Sequence, residues 1–379
     1  MLSANWVAIT LFSVLFIAVL VKKDKRNTDR YLIASILCII SYLIGDIWVH
    51  YSLTRLSFAF HAISSYAVFP PFFFYAMLLI SKQHTIRKSW WWFMVYHFAY
   101  FIFIILDVFV LHDYSQQDVS LLYHGPSPRW RPYLFFYKGL QIYTIVIMGW
   151  FLTRLNRYQK LIKDYYSNVE AVRLDWLKNF SWIYIFAYST AFVAHLAYNF
   201  RWVSNVKVAY LITTISLILG LFWMFYNGLR QHVLANFSEA DTTRGNSKKY
   251  ATSSLTNESA NKLYKRITVL FEAEKIFHNP ELKVQDIAEK LDATNHNISQ
   301  VLNEIAGKSF YDFVNDYRLQ YFKEQLADPE NKRFTILALG MESGFNSKAS
   351  INRVFKQQLG VTPREYQQKI ITSQEQVTA

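Results

Sequence analysis

A single cysteine, Cys38, lies inside an apolar run, so the sequence offers no internal disulfide framework and no cysteine-based metal site. Catalytic fingerprints are missing too: no His-Glu-x-x-His, Gly-x-Ser-x-Gly, phosphate-loop or dinucleotide pattern occurs. His and Asp residues are scattered through the apolar segments, yet no pair has metal-ligand spacing on one helix face. The residues therefore predict no catalytic group, no metal and no cofactor. Acidic residues are scarce up to Gly228, where about 9 Asp and Glu face about 20 Lys and Arg; beyond it the numbers are about 18 and 20. Most of the net charge of +13 thus belongs to the first part, where it marks membrane flanks more than nucleic-acid binding.

Apolar length, by contrast, is plentiful. Over half the residues are hydrophobic (53%) and 18% are aromatic, which points to a membrane for part of the chain. Seven segments are candidates to cross a hydrocarbon core, which takes about 20 residues. They run from Asn5 to Val21, Tyr31 to His50, Ser57 to Ile80, Trp90 to Val110, Tyr133 to Phe151, Asn179 to Phe200 and Val206 to Asn227. Pro70 and Pro71 should kink the third, and the fifth is short.

The basic residues alternate along these segments. Lys22, Lys23, Lys25, Arg26 and Arg30 follow the first, Lys82, Arg87 and Lys88 the third, and Arg154, Arg157, Lys160, Lys163, Arg173 and Lys178 the fifth. The other loops carry only Arg55, Arg129, Arg131, Arg201 and Lys207. The positive-inside rule then places the N-terminus outside and the C-terminal part in the cytoplasm. Met1 to Asn5 has no positive charge and a basic cluster follows the first segment, which favours a retained span over a cleaved signal peptide.

The expected domains are a membrane part over 1–228, a polar linker over 229–261 and a C-terminal domain over 262–379. Ser238 to Asn261 is rich in Ser, Thr, Asn and Lys and reads as a flexible linker. Glu258 to His278 has a helical face of Leu263, Ile267, Leu270, Phe271 and Phe277, and Pro280 should stop it. This face either packs on the C-terminal domain or forms a dimer seam.

Between Val284 and Tyr366 two passages share one pattern: a short helix, a turn residue (Asp292, Gly344), a Thr or Ser able to cap the next helix, and a second helix. They superpose at a shift of 53 residues, Ile298, Val301, Leu302 and Gly307 falling on Ile351, Val354, Phe355 and Gly360. This is the helix-turn-helix arrangement, whose second helix enters the DNA major groove. With the apolar members buried, the first unit leaves Asn295, His296, Ser299, Gln300 and Asn303 free, and the second leaves Lys348, Ser350, Asn352, Arg353 and Lys356. These residue types bond base edges or phosphates, and Arg353 is the strongest candidate for base readout. Taken singly, each could equally be a solvated helix position; repetition of the placement in both units favours contact. Phe310 to Ala327 between the units reads as a helix of about 27 Å, which approaches the roughly 34 Å of one DNA turn.

These motifs carry a resemblance. Asp286-Ile287-Ala288, Gly307-Lys308-Ser309-Phe310, Tyr317-Arg318-Leu319, Gly344-Phe345-Asn346-Ser347, Arg353-Val354-Phe355-Lys356 and Gly360-Val361-Thr362-Pro363-Arg364-Glu365-Tyr366 make the region from Lys265 to Ile370 resemble the DNA-binding domain of the AraC/XylS family of bacterial transcription regulators. The resemblance implies a seven-helix all-α domain with two helix-turn-helix units and DNA contacts at His296, Ser299, Gln300, Lys348, Ala349, Ser350 and Arg353. Asp292 stands where the family usually has Gly, Gly340 where it has Ala, Ala349 where Ser is common, Ile351 where Phe is common and Gln300 where Arg is frequent. Ala349 can offer only an apolar contact, such as to a thymine methyl.

Ionisable groups inside membrane spans are functional candidates. Asp46, His50, His61, Asp107, Lys138, His195 and the polar Asn199 fall toward the outer ends of their segments, where they either line an outward-facing ligand or proton pocket or anchor the interface. His97 is deeper and reads as a packing residue. The expected fold class is all-α: a seven-helix transmembrane bundle followed by a cytoplasmic double helix-turn-helix domain in a bacterial inner membrane. The expected function is a membrane-bound transcription regulator, with double-stranded promoter DNA and the lipid bilayer as partners. A homodimer, RNA polymerase and a small-molecule or physical signal are further candidate partners. The alternative is a membrane transporter or enzyme with a regulatory DNA-binding tail.

Overall fold

A computed structural model describes residues 2–22, 27–52, 54–81, 88–111, 131–170, 172–200, 202, 207–230 and 256–378. The regular structure among the described residues is helical, with no strand and one isolated antiparallel bridge between Tyr166 and Lys283. The chain forms two compact units, one of Met1–Asn156 with Asp175–Ser238, the other of Arg157–Leu174 with Glu239–Ala379.

In the first unit all seven apolar segments are helical: α1 (Leu2–Val21), α2 (Asp29–Tyr51), α3 (Arg55–Ala67), α4 (Phe69–Leu79), α5 (Val95–Leu106), α6 (Arg131–Leu161), α7 (Asp175–Asn199) and α8 (Lys207–Arg230). Three stretches among the described residues are long and apolar enough to cross a membrane: Asp29–Tyr51, Arg55–Leu79 and Lys88–Val110. Asn5–Val21 and Ile218–Asn227 are shorter apolar helices. Helical length and composition therefore support membrane association, with three candidate spans among the described residues.

The expected kink at Pro70 and Pro71 is a joint at Val68. The prolines sit in the first turn of α4, where a missing N–H breaks no helical bond. α4 is apolar all round and buried all round: Phe72 packs edge-on against Phe180, Phe73 against Phe93 and Phe74 beside Trp91. The fourth segment starts as a 3-10 turn at Lys88–Met94 and ends in a π turn at Asp107–Leu111. The fifth, expected to be short, belongs to a helix of 31 residues. Leu152, Leu155 and Tyr158 continue one buried stripe past its apolar core.

Among the described residues the second unit holds seven α-helices: α9 (Asn257–Ala273), α10 (Val284–Lys290), α11 (Asn295–Ile305), α12 (Phe310–Ala327), α13 (Ile336–Glu342), α14 (Lys348–Leu359) and α15 (Pro363–Thr378). α9 begins inside the polar stretch, capped by Thr256, and ends earlier than Pro280 would require because Lys275 turns left-handed at φ 48°. Residues 231–255, most of the expected linker, lie outside the described residues. Leu263, Ile267, Leu270, Phe271 and Phe277 are all buried in one cluster with Ile287, Ile298, Val301, Leu302, Phe310 and Val314. At roughly 1.5–3 kcal/mol for each fully buried side chain, α9 is an integral part of this core, which leaves its apolar face no seam to offer.

α12 serves both halves of the domain. Its N-terminal Phe310, Phe313 and Val314 enter that cluster, and Phe322 packs edge-on against Phe345 and Phe355 of the second half. It spans Phe310–Ala327 as the pattern predicts, capped by Ser309 and stopped at Asp328 before Pro329. The final motif has a plain physical content. Gly360 ends α14 at φ 71°, Pro363 opens α15, and Thr362 and Glu365 cap each other reciprocally. Tyr366 then packs edge-on against Phe355.

The hydrogen bond from the Thr362 amide holds the Glu365 carboxyl below the usual glutamate range. The folded pKa being the lower one, this stabilisation is present above the unfolded value and is lost as pH falls through the folded value. Thr362→Ala should cost about 1 kcal/mol of α15 stability at neutral pH. Glu365→Gln should flatten the acid-side loss, read by hydrogen exchange across 363–378. An unchanged acid profile in Glu365→Gln would rule out this capping account.

Candidate nucleic-acid interface

Both turn residues adopt the conformation that a tight helix-turn-helix needs: Asp292 has φ 50° and Gly344 φ 92°. Asp292 can do so because Asp tolerates the left-handed region better than most side chains. Thr294 then caps α11 by accepting from Asn297 N at 3.1 Å, and Ser347 caps α14 by accepting from Ser350 N at 3.0 Å. Ile298, Val301 and Leu302 on α11, and Ile351, Val354 and Phe355 on α14, are all buried. The 53-residue correspondence therefore holds in three dimensions, and the polar positions between these anchors form the opposite face of each helix. Gly340 and Ile351 are a matched pair: a Cβ on Gly340 would stand 2.3 Å from Ile351 Cδ1, so the small residue makes room for the branched one.

On α11, His296 is exposed, Asn295 and Gln300 are half-buried, Asn303 is exposed and Ser299 is buried. Gln300 donates to Glu304 at 3.0 Å along the helix. On α14, Lys348, Ala349 and Lys356 are exposed, Asn352 and Arg353 are half-buried, and Ser350 is buried at 5%. Five of these eleven positions are thus open to solvent.

Several of the eleven are engaged by a segment that the sequence places upstream of the linker. Residues Arg157–Leu174 belong to the second unit. Ser299 Oγ donates to the Asp164 carbonyl at 2.8 Å, and Asn303 Nδ2 to the Asp164 carboxylate at 3.4 Å. His296 and Gln300 face a cleft of about 400 Å³ whose other wall includes Leu161, Asp164 and Tyr165. Burial pushes the Asp164 carboxyl above the ordinary aspartate value, with the Asn303 bond opposing. At the second helix-turn-helix, Ser347 Oγ donates to Glu170 at 2.7 Å, and Arg353 Nη1 lies 3.5 Å from the other Glu170 carboxylate oxygen. Arg353 also lies over Tyr311, its Cζ 5.9 Å from the ring centroid, with Lys163 Nζ 5.3 Å from the same ring.

The segment is fixed by main-chain bonds and by one buried guanidinium. Ser167 donates twice to the Leu282 carbonyl, from N at 3.1 Å and from Oγ at 2.6 Å, and Val284 N donates to Tyr165 O at 3.0 Å. Arg318, 2% exposed, donates to Phe277 O at 2.8 Å, Asn279 O at 2.7 Å, Ser167 Oγ at 3.0 Å and Ser167 O at 3.4 Å. Burial lowers its pKa to about 10, which leaves it charged at neutral pH. The sequence marks Arg318 only as a motif member and gives no signal for Asp164, Ser167 or Glu170.

Residues 287–369 match the family model of a helix-turn-helix domain. The match supports a DNA-binding transcriptional regulator with a C-terminal domain of AraC type, binding double-stranded DNA. No curated protein and no solved structure matches the chain.

The residues singled out for sensing are dispersed over the first unit. Asn5 Nδ2 donates to Asp46 at 2.7 Å, and His61 stacks on Tyr42 with ring centroids 5.2 Å apart, so α1, α2 and α3 bring polar groups to neighbouring positions. His50 is exposed beside Tyr51, and Asp107 is 6% exposed in the π turn. The side chains of Lys138, His195 and Asn199 lie outside the described residues. His97 is 8% exposed and stacks on Phe69 with ring centroids 5.3 Å apart, as expected of a packing residue. Among the described residues no group of His, Cys, Asp and Glu could hold a metal ion.

Proposed function

We propose that this chain is a membrane-bound, sequence-specific transcription regulator in which α11 and α14 read promoter DNA. The observation that carries this is the repeated geometry: two helices, each capped by a hydroxyl residue after a left-handed turn, joined by one rod, α12. His296, Gln300, Lys348, Ala349, Asn352, Arg353 and Lys356, with Asn295, Ser299, Asn303 and Ser350 behind them, form the contact set. The domain is nearly neutral overall, so its affinity rests on local placement of Lys348, Arg353 and Lys356.

The domain organisation proposed is a membrane part over 1–228, a linker over 229–261 and an AraC-type domain over 262–379, with Arg157–Leu174 a cytoplasmic loop that docks on the last. Seven helical segments cross a bacterial inner membrane with the N-terminus outside, so the odd number of spans delivers 262–379 to the compartment that holds DNA. Asp46, His50, His61, Asp107, Lys138 and His195 form the candidate sensing set. Catalysis has no support in the residues.

The test maps DNA sites bound by the full-length protein in cells, with Arg353→Ala alongside. The native chain should occupy discrete promoters. Arg353→Ala should lose about 1–3 kcal/mol of affinity and relax one base position. No discrete sites for the native chain would overturn the regulator reading. A reporter on a mapped promoter tests sensing: Asp46→Asn, Asp107→Asn or His195→Ala should change its response, and unchanged output from all three would dismiss the sensing set.

A further inference from the structure

We propose that Arg157–Leu174 is an autoinhibitory clasp, with the acidic side chains of one loop placed at both recognition helices where DNA would be gripped. This rests on the reading of α11 and α14 as the DNA-contacting helices. Glu170 sits at the N-terminus of α14, hydrogen-bonded to the cap residue Ser347 and 3.5 Å from Arg353 Nη1. Backbone dipole, hydroxyl donor and guanidinium together are the arrangement with which proteins hold DNA phosphates. A carboxylate there occupies an anion position and draws Arg353, the strongest base-reading candidate, away from the groove. Asp164 acts at α11, its carbonyl and carboxylate taking Ser299 and Asn303. Asp164 and Glu170 are six residues apart, so the chain between them spans at most about 22 Å. One short segment thus reaches both reading heads.

The attachment is specific. Ser167 and Tyr165 pair with Leu282 and Val284 along the main chain, and Arg318 bonds Ser167 from the domain core. Those bonds hold the loop in register, so the two carboxylates arrive together. The loop also carries Arg157, Lys160, Lys163 and Arg173, which could suggest that it helps to bind DNA. Yet it is Asp164 and Glu170 that bond the recognition helices, while Lys163 lies over Tyr311. Because the loop joins α6 to α7 in the chain, it stays tethered to the domain and its local concentration there is high.

The experiment uses the full-length protein carrying Cys38→Ser in lipid-bilayer discs, with a pool of random-sequence DNA duplexes as the probe. Asp164→Ala/Glu170→Ala should retain DNA about tenfold more tightly than the parent, the scale of one charge-assisted contact relieved. Separately, Asn168→Cys/Glu281→Cys, placed at a side-chain contact of 3.2 Å on the exposed edge of the clasp, is bridged by a short reducible crosslinker. Bridging should lower retention at least tenfold, and reduction should restore it. Equal or weaker retention by the alanine pair overturns the clasp, as does unchanged retention after bridging. If DNA is retained in no arm, including the reduced and alanine variants, the DNA-reading assignment itself fails and takes the clasp with it. Retention by the parent that matches the alanine pair leaves DNA reading standing and removes only the clasp.

Discussion

Gly344→Ala is expected to destabilise the second unit by about 3–5 kcal/mol, adding the left-handed backbone penalty to a steric one. Gly344 has φ 92°, and a Cβ there would stand 2.2 Å from the Phe277 carbonyl oxygen, with Arg318 Nε and the His278 Cα each at 3.0 Å. The nearest obstacle is backbone, which cannot swing aside as a side-chain tip would. The same carbonyl accepts the Arg318 Nε bond at 2.8 Å, so moving it also disturbs the buried guanidinium. Gly307→Ala is the control, because Gly307 has φ 65° with open space around the site, and it should pay only about 1–2 kcal/mol of backbone cost. Hydrogen exchange across α12 to α14 of the full-length protein measures both. Equal losses from the two variants would mean that close packing at Gly344 contributes nothing.

Arg318→Ala is expected to cost about 3–5 kcal/mol, since four acceptor contacts lose a buried charged donor. Those acceptors lie at Phe277, Asn279 and Ser167, so the loss falls on the turn before α10 and on the docked loop together. Arg318→Lys should recover little. The planar fork reaches Phe277 O through Nε while Nη2 reaches Asn279 O and Ser167 Oγ, and one ammonium on a flexible stem cannot hold that spread. Thermal unfolding and protease resistance of the second unit should fall in both variants. A native-like Arg318→Lys would show that charge alone, without the fork, is sufficient. The motif position Tyr317-Arg318-Leu319 thus has a structural explanation, with Leu319 at 4% exposure and Tyr317 packed against Phe271 and Phe277.

Much of the second unit was legible beforehand because its signals are local. Helical periodicity placed α12 to the residue, and the 53-residue repeat identified six buried anchors. Thr294 and Ser347 were recognisable as caps from their position after a turn residue. The apolar segments were legible as helices for the same reason, and Pro70 and Pro71 marked the break in the third. The 3-10 start at Lys88 and the π turn at Asp107 depend on packing around α5, which apolar composition does not encode. α9 stopped short of its sequence limit because Lys275 took a left-handed turn that no composition rule marks.

By itself, then, the sequence determined the helices of both units, the paired helix-turn-helix pattern and the polar residues available on its reading faces. Hydrophobic spacing, caps and turn residues act over a few positions and are written where they act. Only the tertiary structure decided that Arg157–Leu174 belongs with the C-terminal unit, and that Asp164 and Glu170 meet Ser299, Asn303, Ser347 and Arg353. Those contacts join residues more than 130 positions apart through single hydrogen bonds and one ion pair, which have no period and leave no trace in either stretch read alone.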